Sequence, residues 1–178
     1  MTITSTGPYA LESLPEANAT YVASFGDKAS LPLPPGKKVA IVGCMDARLN
    51  THAATGLHEG DAHHIRNAGG RVSPDAVRSL VISQELLGTR EIIIIHHTDC
   101  GMLTFNTPQL HQKLKARPSI TPGQHAAVDS FAFLEFSDLE KSVKDDVGFL
   151  KEHPLILKET AISGFIYKVE TGELVKVA

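Results

Sequence analysis

The sequence predicts an α/β fold with a mostly parallel central β-sheet flanked by helices. Two observations predict it: short apolar runs typical of buried strands, and amphipathic helical patterns between them. Strands that alternate with helices require crossover connections, which join parallel strands. A chain of 178 residues is long enough to form one domain with its own core. We therefore expect a single domain at 37–178, preceded at 1–36 by an N-terminal helical arm and a proline-rich connector.

The arm is predicted between Tyr9 and Phe25, where apolar residues recur at helical spacing. This pattern predicts an amphipathic helical arm, with an apolar face formed by Leu11, Leu14, Ala17 and Tyr21. The segment 32–36 then contains prolines and a glycine, so no helix can continue through it. It predicts the rigid connector that leads into the first strand.

The first half of the domain contains three predicted strands, at 37–43, 62–67 and 91–96. The first and third are apolar runs, typical of strands buried on both faces, and the second is more polar. A helix is predicted between the second and the third. Ser73 can cap its start, Pro74 suits its first turn, and Gly88 ends it. This alternation of strand and helix is the basis for predicting a parallel sheet.

The second half of the domain is less regular. Prolines and polar residues at 104–129 predict an excursion from the sheet, with a short helix at 110–115. Apolar residues return to helical spacing at 136–150. The segments 162–169 and 174–177 then predict two strands around a tight turn.

Composition and charge exclude several classes of protein. The 17 basic and 20 acidic residues give a net charge of −3, so no basic surface for nucleic acid is expected. No apolar run approaches the roughly 18–20 residues of a membrane span, and the N-terminus lacks the pattern of a secretory signal. Two cysteines can form at most one disulfide, too few for a disulfide-rich secreted domain. We expect a cytoplasmic protein with no nucleic-acid or membrane partner.

Both cysteines lie at the ends of predicted buried strands. Cys44 directly follows the first strand, and Cys100 follows the third in the sequence His97-Thr-Asp-Cys. The carboxyl ends of neighbouring parallel strands meet at one edge of a sheet, so these residues can converge there. Two thiolates and an imidazole suit zinc and leave a fourth position open for water. If the chain stays extended beyond Cys44, Asp46 and Arg48 lie on the same side as that cysteine.

The residues alone leave other interpretations open. Each cysteine taken separately can be a small buried apolar residue. A non-catalytic zinc protein, with Asp46 as a permanent fourth ligand, is also consistent with the pattern. A thiol redox module is disfavoured because Cys-x-x-Cys spacing is missing, and dinucleotide binding because Gly-x-Gly-x-x-Gly is missing.

The combination of motifs resembles the β-class carbonic anhydrases. The matching segments are Cys-x-Asp-x-Arg at 44–48, Arg-Asn-Ala-Gly-Gly at 66–70 and His-x-x-Cys-Gly at 97–101. The resemblance extends over 38–101 and returns weakly at 164–172. It implies a β-carbonic-anhydrase-like fold and a homodimer or homotetramer whose N-terminal helices embrace the partner.

The resemblance also implies roles for five residues and a reaction. Zinc would be bound by Cys44, His97 and Cys100, while Asp46 would accept a hydrogen bond from zinc-bound hydroxide and Arg48 would hold Asp46. The implied enzyme is a zinc lyase that hydrates carbon dioxide to bicarbonate. The compact chain also resembles the family branch that includes carbonyl sulfide hydrolases, which release hydrogen sulfide and carbon dioxide with the same site. An inactive state with Asp46 on the zinc is implied as well.

The residues around these motifs are expected to support the site. Arg66 and Asn67 are predicted to do so through backbone and carboxylate contacts, and the glycines of 69–70 to allow close backbone approach or a left-handed turn. His96 should point to the opposite face of its strand from His97. Asp99 is either a partner of the site or an ordinary turn residue. The seven other histidines lack ligand spacing to the cysteines and are expected on the surface or in local structural roles.

Overall fold

The computed structural model describes residues 8–178, and its centre is a five-stranded β-sheet in the order β2-β1-β3-β4-β5. The first four strands in this order run parallel and β5 is antiparallel to β4. The strands are β1 (Val39–Cys44), β2 (Ala62–Asn67), β3 (Glu91–His97), β4 (Ala161–Tyr167) and β5 (Leu174–Lys176). The predicted fold class, a mostly parallel sheet flanked by helices, is confirmed.

The chain divides into two compact units, Met1–Pro32 and Leu33–Ala178. In the first unit the structure shows α1 (Tyr9–Glu12), α2 (Leu14–Ala23) and a 3₁₀ turn at Gly26–Ser30. Residues 1–7 of the predicted arm lie outside the described residues.

The segment predicted as a helical arm, Tyr9 to Phe25, forms two helices that meet at Ser13. Pro15 has no N–H to donate to the carbonyl four residues earlier, so it starts a new helix instead of continuing α1. No residue of α2 is buried within this chain, and Val22 is 62 % exposed.

The second unit places its main core on one face of the sheet. Helix α4 (Pro74–Glu85) lies against β1 and β2, and α7 (Leu139–Glu152) lies against β3 and β4. Their apolar side chains pack on alternate strand residues, in a cluster that includes Val42, Ile94, Leu80, Val143 and Leu150. A smaller cluster of Val39, Ile41 and Ile95 covers the opposite face. The two central strands are therefore buried on both sides, as their apolar sequences predict.

Local signals explain where the helices begin. The Ser73 side chain accepts a hydrogen bond from the Ala76 N–H at 3.3 Å, and Gly88 has a φ of 75° beyond the end of α4. Helix α5 (Thr107–Lys115) starts earlier than predicted because Asn106 and Gln109 form a reciprocal capping box. Helix α7 starts later than the apolar pattern at 136 because Asp138 caps it.

Two short helices were not predicted from the sequence: α3 (Thr51–Thr55) and α6 (His125–Asp129). Five residues are too few for the apolar periodicity of a helix to be recognised. Within residues 8–178 no helix is both long and apolar enough to cross a membrane.

Candidate metal centre

Cys44, His97 and Cys100 meet at the carboxyl edge of the sheet. One ligand atom from each residue lies within 4.8 Å of the other two. Cys44 ends β1, His97 ends the neighbouring strand β3, and Cys100 follows in the turn after β3. All three are buried, with exposures of 4 %, 0 % and 2 %. The structure therefore brings together the three residues whose convergence the sequence predicted.

One nitrogen of the His97 ring is left for a ligand. Its Nδ1–H donates to the carbonyl of Thr98 at 2.8 Å, which leaves the lone pair on Nε2. Nε2 is buried, and no hydrogen-bond partner for it exists among residues 8–178. A buried ring nitrogen without a partner is unfavourable unless something occupies the site. This nitrogen, with two thiols beside it, is the donor set that suits zinc.

The two thiols lie against each other, and this contact shifts their pKa values in opposite directions. The neighbouring Cys100 thiol, the nearby His97 ring and the backbone N–H groups of Asp46 and Gly69 lower the pKa of Cys44 to about 4. The pKa of Cys100 is raised, because its proton is held by the Cys44 sulfur and because it is buried. A bound divalent cation would favour the thiolate form of both residues.

Asp46 and Arg48 lie beside this cluster as a closely bonded pair. Arg48 Nε donates to Asp46 Oδ1 at 3.0 Å, and Arg48 Nη2 donates to Oδ2 at 2.8 Å. These hydrogen bonds hold the pKa of Asp46 well below its usual range. Asp46 Oδ2 is 3.8 Å from the free Nε2 of His97, so the carboxylate faces the cluster.

The expected extended backbone beyond Cys44 is wrong, because the chain turns at this point. The Arg48 N–H donates to Asp46 Oδ1 at 2.9 Å, and the Leu49 N–H donates to the Asp46 carbonyl at 3.1 Å. The short Asp side chain makes this turn by accepting a hydrogen bond from a backbone N–H two residues ahead. Asp46 and Arg48 are thus paired by the turn and not by strand alternation.

Asp99 anchors the other side of Arg48. Arg48 Nη1 donates to Asp99 Oδ2 at 2.7 Å, and Nη2 donates to the Asp99 carbonyl at 3.1 Å. Asp99 has a φ of 52°, in the left-handed region that Asp tolerates better than most residues. It is therefore both a turn residue and a partner of the site. Arg48 connects the segment that contains Cys44 with the segment that contains Cys100.

Arg66 supports the site from β2. Its Nε donates to the Cys44 carbonyl at 3.0 Å, and its Nη2 donates to the Asp46 carbonyl at 2.6 Å. The neighbouring Asn67 donates to the Arg71 carbonyl at 2.7 Å. Both side chains stabilise the backbone near the site, and neither provides a ligand atom to the cluster of Cys44, His97 and Cys100.

The turn after β2 packs directly against the backbone of Cys44. Gly69 and Gly70 have φ values of 79° and 69°, in the left-handed region. A Cβ on Gly70 would lie 2.8 Å from the Ile95 carbonyl oxygen and 2.9 Å from the Cys44 backbone nitrogen. Only glycine fits between these two strands.

The comparisons with known proteins agree with this geometry. A family model for carbonic anhydrase matches residues 39–174. The chain belongs to the β-carbonic anhydrase family. The resemblance inferred from the three motifs is thereby confirmed, and the family is one of lyases.

Three members of the family illustrate the degree of similarity. The chain is 42 % identical over 160 residues to β-carbonic anhydrase 1 of Mycobacterium tuberculosis, covering 90 % of this chain and 93 % of the relative. The solved carbonic anhydrase from Glaciozyma antarctica is 71 % identical with a TM-score of 0.92, covering 97 % of this chain and all 100 % of that one. A carbon disulfide hydrolase of Saccharolobus solfataricus is 36 % identical over 161 residues, covering 81 % of this chain and 79 % of the relative.

The His96 side chain points to the opposite face of the sheet from His97, as predicted from the alternation of side chains along a strand. It is fully buried, and its Nδ1 is 2.8 Å from the Ser142 hydroxyl. Its Nε2 faces the Gly70 carbonyl at 3.2 Å and Asp146 at 3.3 Å. Sequence reasoning did not identify Asp146, because a lone aspartate within a helix gives no signal until its distant partners are known.

Proposed function

We propose that the protein is a zinc-dependent carbonic anhydrase that hydrates carbon dioxide to bicarbonate. One observation carries this proposal: the unpartnered Nε2 of His97 and two buried thiols lie beside an aspartate whose orientation Arg48 fixes. The similarity to β-carbonic anhydrase 1 of Mycobacterium tuberculosis and to the carbonic anhydrase from Glaciozyma antarctica supports the same substrate.

Cys44, His97 and Cys100 would hold the zinc. The two sulfurs and one imidazole nitrogen are soft ligands that tetrahedral zinc prefers, and three protein ligands leave one position open. When bound, zinc acts as a Lewis acid that lowers the pKa of water. The hydrogen bond from His97 Nδ1 to the Thr98 carbonyl fixes the ring with Nε2 towards the thiols.

Asp46 would orient the attacking water. Because its pKa is low, the carboxylate is ionised throughout the neutral range and can only accept hydrogen bonds. A water O–H that donates to Oδ2 points one oxygen lone pair away from Asp46, where the substrate carbon can approach. The water oxygen forms the new bond to carbon, and the proton released leaves to solvent buffer. Arg48 keeps Oδ2 turned to the cluster throughout.

A second substrate class uses the same residues. Carbonyl sulfide and carbon disulfide are linear molecules like carbon dioxide, and hydrolysis of carbonyl sulfide would release hydrogen sulfide and carbon dioxide. The carbon disulfide hydrolase of Saccharolobus solfataricus supports this alternative at 36 % identity. We rank carbon dioxide first, because the carbonic anhydrases compared above share 42 % and 71 % identity with this chain.

Paired assays would separate these substrates. The zinc-loaded protein is given carbon dioxide in a stopped-flow pH assay, and carbonyl sulfide or carbon disulfide in an assay for released sulfide. We expect rapid hydration of carbon dioxide and little sulfide. Rapid sulfide release with negligible carbon dioxide hydration would replace the proposed substrate by the second class.

Two substitutions would test the ligands directly. Cys44→Ser and His97→Ala each remove one donor, so we expect zinc content and activity to be lost together. His58→Asn is a suitable control, because His58 is exposed. Circular dichroism would show that each variant is folded. Full zinc occupancy in both variants would contradict the ligand assignment.

We further propose a cytoplasmic homodimer or homotetramer with small linear molecules as its substrates. Leu14 and Val22 of the arm are 47 % and 62 % exposed within a single chain, which favours their burial against a partner. Both cysteines are free and belong to the candidate metal centre. A reducing compartment would keep these thiols available for zinc. Fractionation of cells into cytoplasmic and exported proteins would test the location.

A further inference from the structure

A buried carboxylate on α7 has no part in the proposed chemistry. Asp146 is only 4 % exposed, and its Oδ1 pairs with Arg71 Nη2 at 3.0 Å. Its Oδ2 accepts a hydrogen bond from the Val72 N–H at 3.2 Å and lies 3.3 Å from His96 Nε2. Burying a charge is costly unless it is paired and hydrogen-bonded, and Asp146 meets both conditions.

The partners of Asp146 either belong to the turn at 69–72 or contact this turn. Arg71 and Val72 bond to Asp146 directly, and the Gly70 carbonyl faces His96 Nε2 at 3.2 Å. Because Gly70 and Asp146 both present acceptors to His96 Nε2, this nitrogen carries the hydrogen. The turn at 69–72 is thus tied to α7 through one carboxylate and one imidazole.

The same turn contacts the candidate metal centre on its other side. The N–H of Gly69 is close enough to the sulfur of Cys44 to help lower the pKa of that thiol. Gly70 lies so close to β1 that an added Cβ would be 2.9 Å from the Cys44 nitrogen. A small displacement of this turn would therefore move backbone that packs directly against a proposed zinc ligand.

We propose that Asp146 is a positioning residue for the metal centre: it holds the 69–72 turn against Cys44, with the Gly69 N–H beside the Cys44 sulfur. This inference rests on the proposed function, since it assigns Cys44 to zinc. A hydrogen bond to a ligand sulfur stabilises the thiolate and fixes its direction. Removing such a supporting group lowers metal affinity or activity by about 10–100-fold in other metal sites.

Two variants at adjacent positions give the test. Asp146→Asn keeps the size of the side chain but removes the charge that pairs with Arg71. Asp145→Asn makes the same chemical change one residue earlier, on a side chain that is 53 % exposed and paired with Lys141. The zinc-loaded proteins are mixed with a chromogenic chelator, and the rate of zinc transfer is measured. We expect transfer about tenfold faster or more for Asp146→Asn, and an unchanged rate for Asp145→Asn.

A third variant separates positioning from general stability. Gln84 is buried and bonds to Thr160 at 2.6 Å near the amino ends of the strands. Gln84→Ala should lower the melting temperature without accelerating zinc transfer at a temperature where all variants are folded. Amide exchange at Gly69, followed by NMR, should accelerate only in Asp146→Asn. Unchanged zinc transfer and Gly69 exchange in folded Asp146→Asn would overturn the inference.

If Asp146→Asn does not fold, Arg71→Gln removes the ion pair from the more accessible side and is judged by the same two measurements. Failure of this inference is distinguishable from failure of the proposed function. A wild-type protein that binds no zinc contradicts the proposed function. A wild-type protein that binds zinc and hydrates carbon dioxide, with variants that release zinc at the wild-type rate, contradicts only the role of Asp146.

Discussion

Arg48 Nη1 donates to the Asp99 carboxylate at 2.7 Å while Nε and Nη2 of the same guanidinium bind Asp46 at 3.0 and 2.8 Å. The guanidinium is thus fixed on two sides by carboxylates from the segments that follow β1 and β3. A planar guanidinium with several N–H donors can bind two carboxylates in fixed directions, whereas the ammonium group of a lysine cannot reproduce this geometry. The orientation of Asp46 therefore depends on Asp99 as well as on Arg48.

Replacing the Asp46 carboxylate by an amide should remove most activity while leaving the metal. In Asp46→Asn one Arg48 donor would face an NH₂ group, so the side chain loses both its charge and its orientation. We expect kcat for carbon dioxide hydration to fall by about 10²–10³-fold, comparable to the loss of one oriented polar group in other active sites. Stopped-flow kinetics and metal analysis provide the two measurements.

Asp75→Asn is the matched control for this change. Asp75 pairs with Arg78 at 3.0 Å on the surface of α4, and its substitution should leave the rate unchanged. An unaltered rate in Asp46→Asn would remove Asp46 from the mechanism.

Two glycines with similar backbone angles should tolerate alanine very differently. Gly70 has a φ of 69°, and its Cβ would meet the Ile95 carbonyl oxygen at 2.8 Å. Gly88 has a φ of 75°, and nothing lies within 4 Å of its Cβ position. We expect Gly70→Ala to lower the free energy of unfolding by about 3 kcal/mol or more, and Gly88→Ala by about 1–2 kcal/mol. Urea unfolding measures both, and equal losses would show that the contact with β3 is unimportant.

His64 should make the stability of the protein depend on pH. Its ring stacks on His52 with centroids 3.7 Å apart, and Nε2 is buried without a partner among residues 8–178. Burial, together with the nearby His52 and Arg66, lowers the pKa of His64 to about 4. The unfolded value is about 6.5, so the unfolded chain takes up this proton first as pH falls. The contribution of neutral His64 to the free energy of unfolding is therefore complete above about pH 6.5 and is lost as the pH falls from there to about 4.

The variant His64→Phe keeps a ring in the stack but removes the titration. We expect its free energy of unfolding to fall less between pH 7 and pH 4.5 than that of the wild type. His58→Asn changes an exposed histidine and should retain the wild-type slope. Equal slopes in all three proteins would show that His64 titrates normally in the folded state.

The N-terminal arm should be needed for association. Removing residues 1–25, or introducing aspartate at both Leu14 and Val22, takes away exposed apolar side chains that favour burial on a partner. We expect sedimentation velocity to show a shift towards smaller species for both variants. Glu16→Gln, a polar change on the same helix, should sediment like the wild type. Unchanged assembly in the truncated protein would contradict exchange of the arm.

The parts of the structure that sequence predicted are those with local causes. The apolar runs that became β1 and β3, and the Ser73 cap that starts α4, depend on neighbouring residues in the chain. The convergence of Cys44 with His97 follows from parallel pairing of β1 with β3. The predicted positions of these elements are therefore close to the observed ones.

The parts that sequence could not predict depend on distant polar contacts. The pairing of Asp99 with Arg48 spans 51 positions, and the hydrogen bond from Val72 to Asp146 spans 74. Such partners are identified only once the strands and helices are packed. The turn at Asp46 gives no apolar signal in the sequence, because a hydrogen bond from the Arg48 N–H to the Asp46 side chain replaces the strand ladder there.

The adjacency of β1 and β3 also links occupancy of the metal centre to folding. Cys44 and His97 are far apart in the unfolded chain and meet only when these central strands pair. A ligand that binds all three donor atoms therefore stabilises the folded state, by an amount that grows with its free concentration relative to its Kd. At a free concentration one hundred times its Kd, this amounts to about 2.7 kcal/mol. Removal of zinc by a chelator would accordingly lower the melting temperature of the protein as well as abolish catalysis.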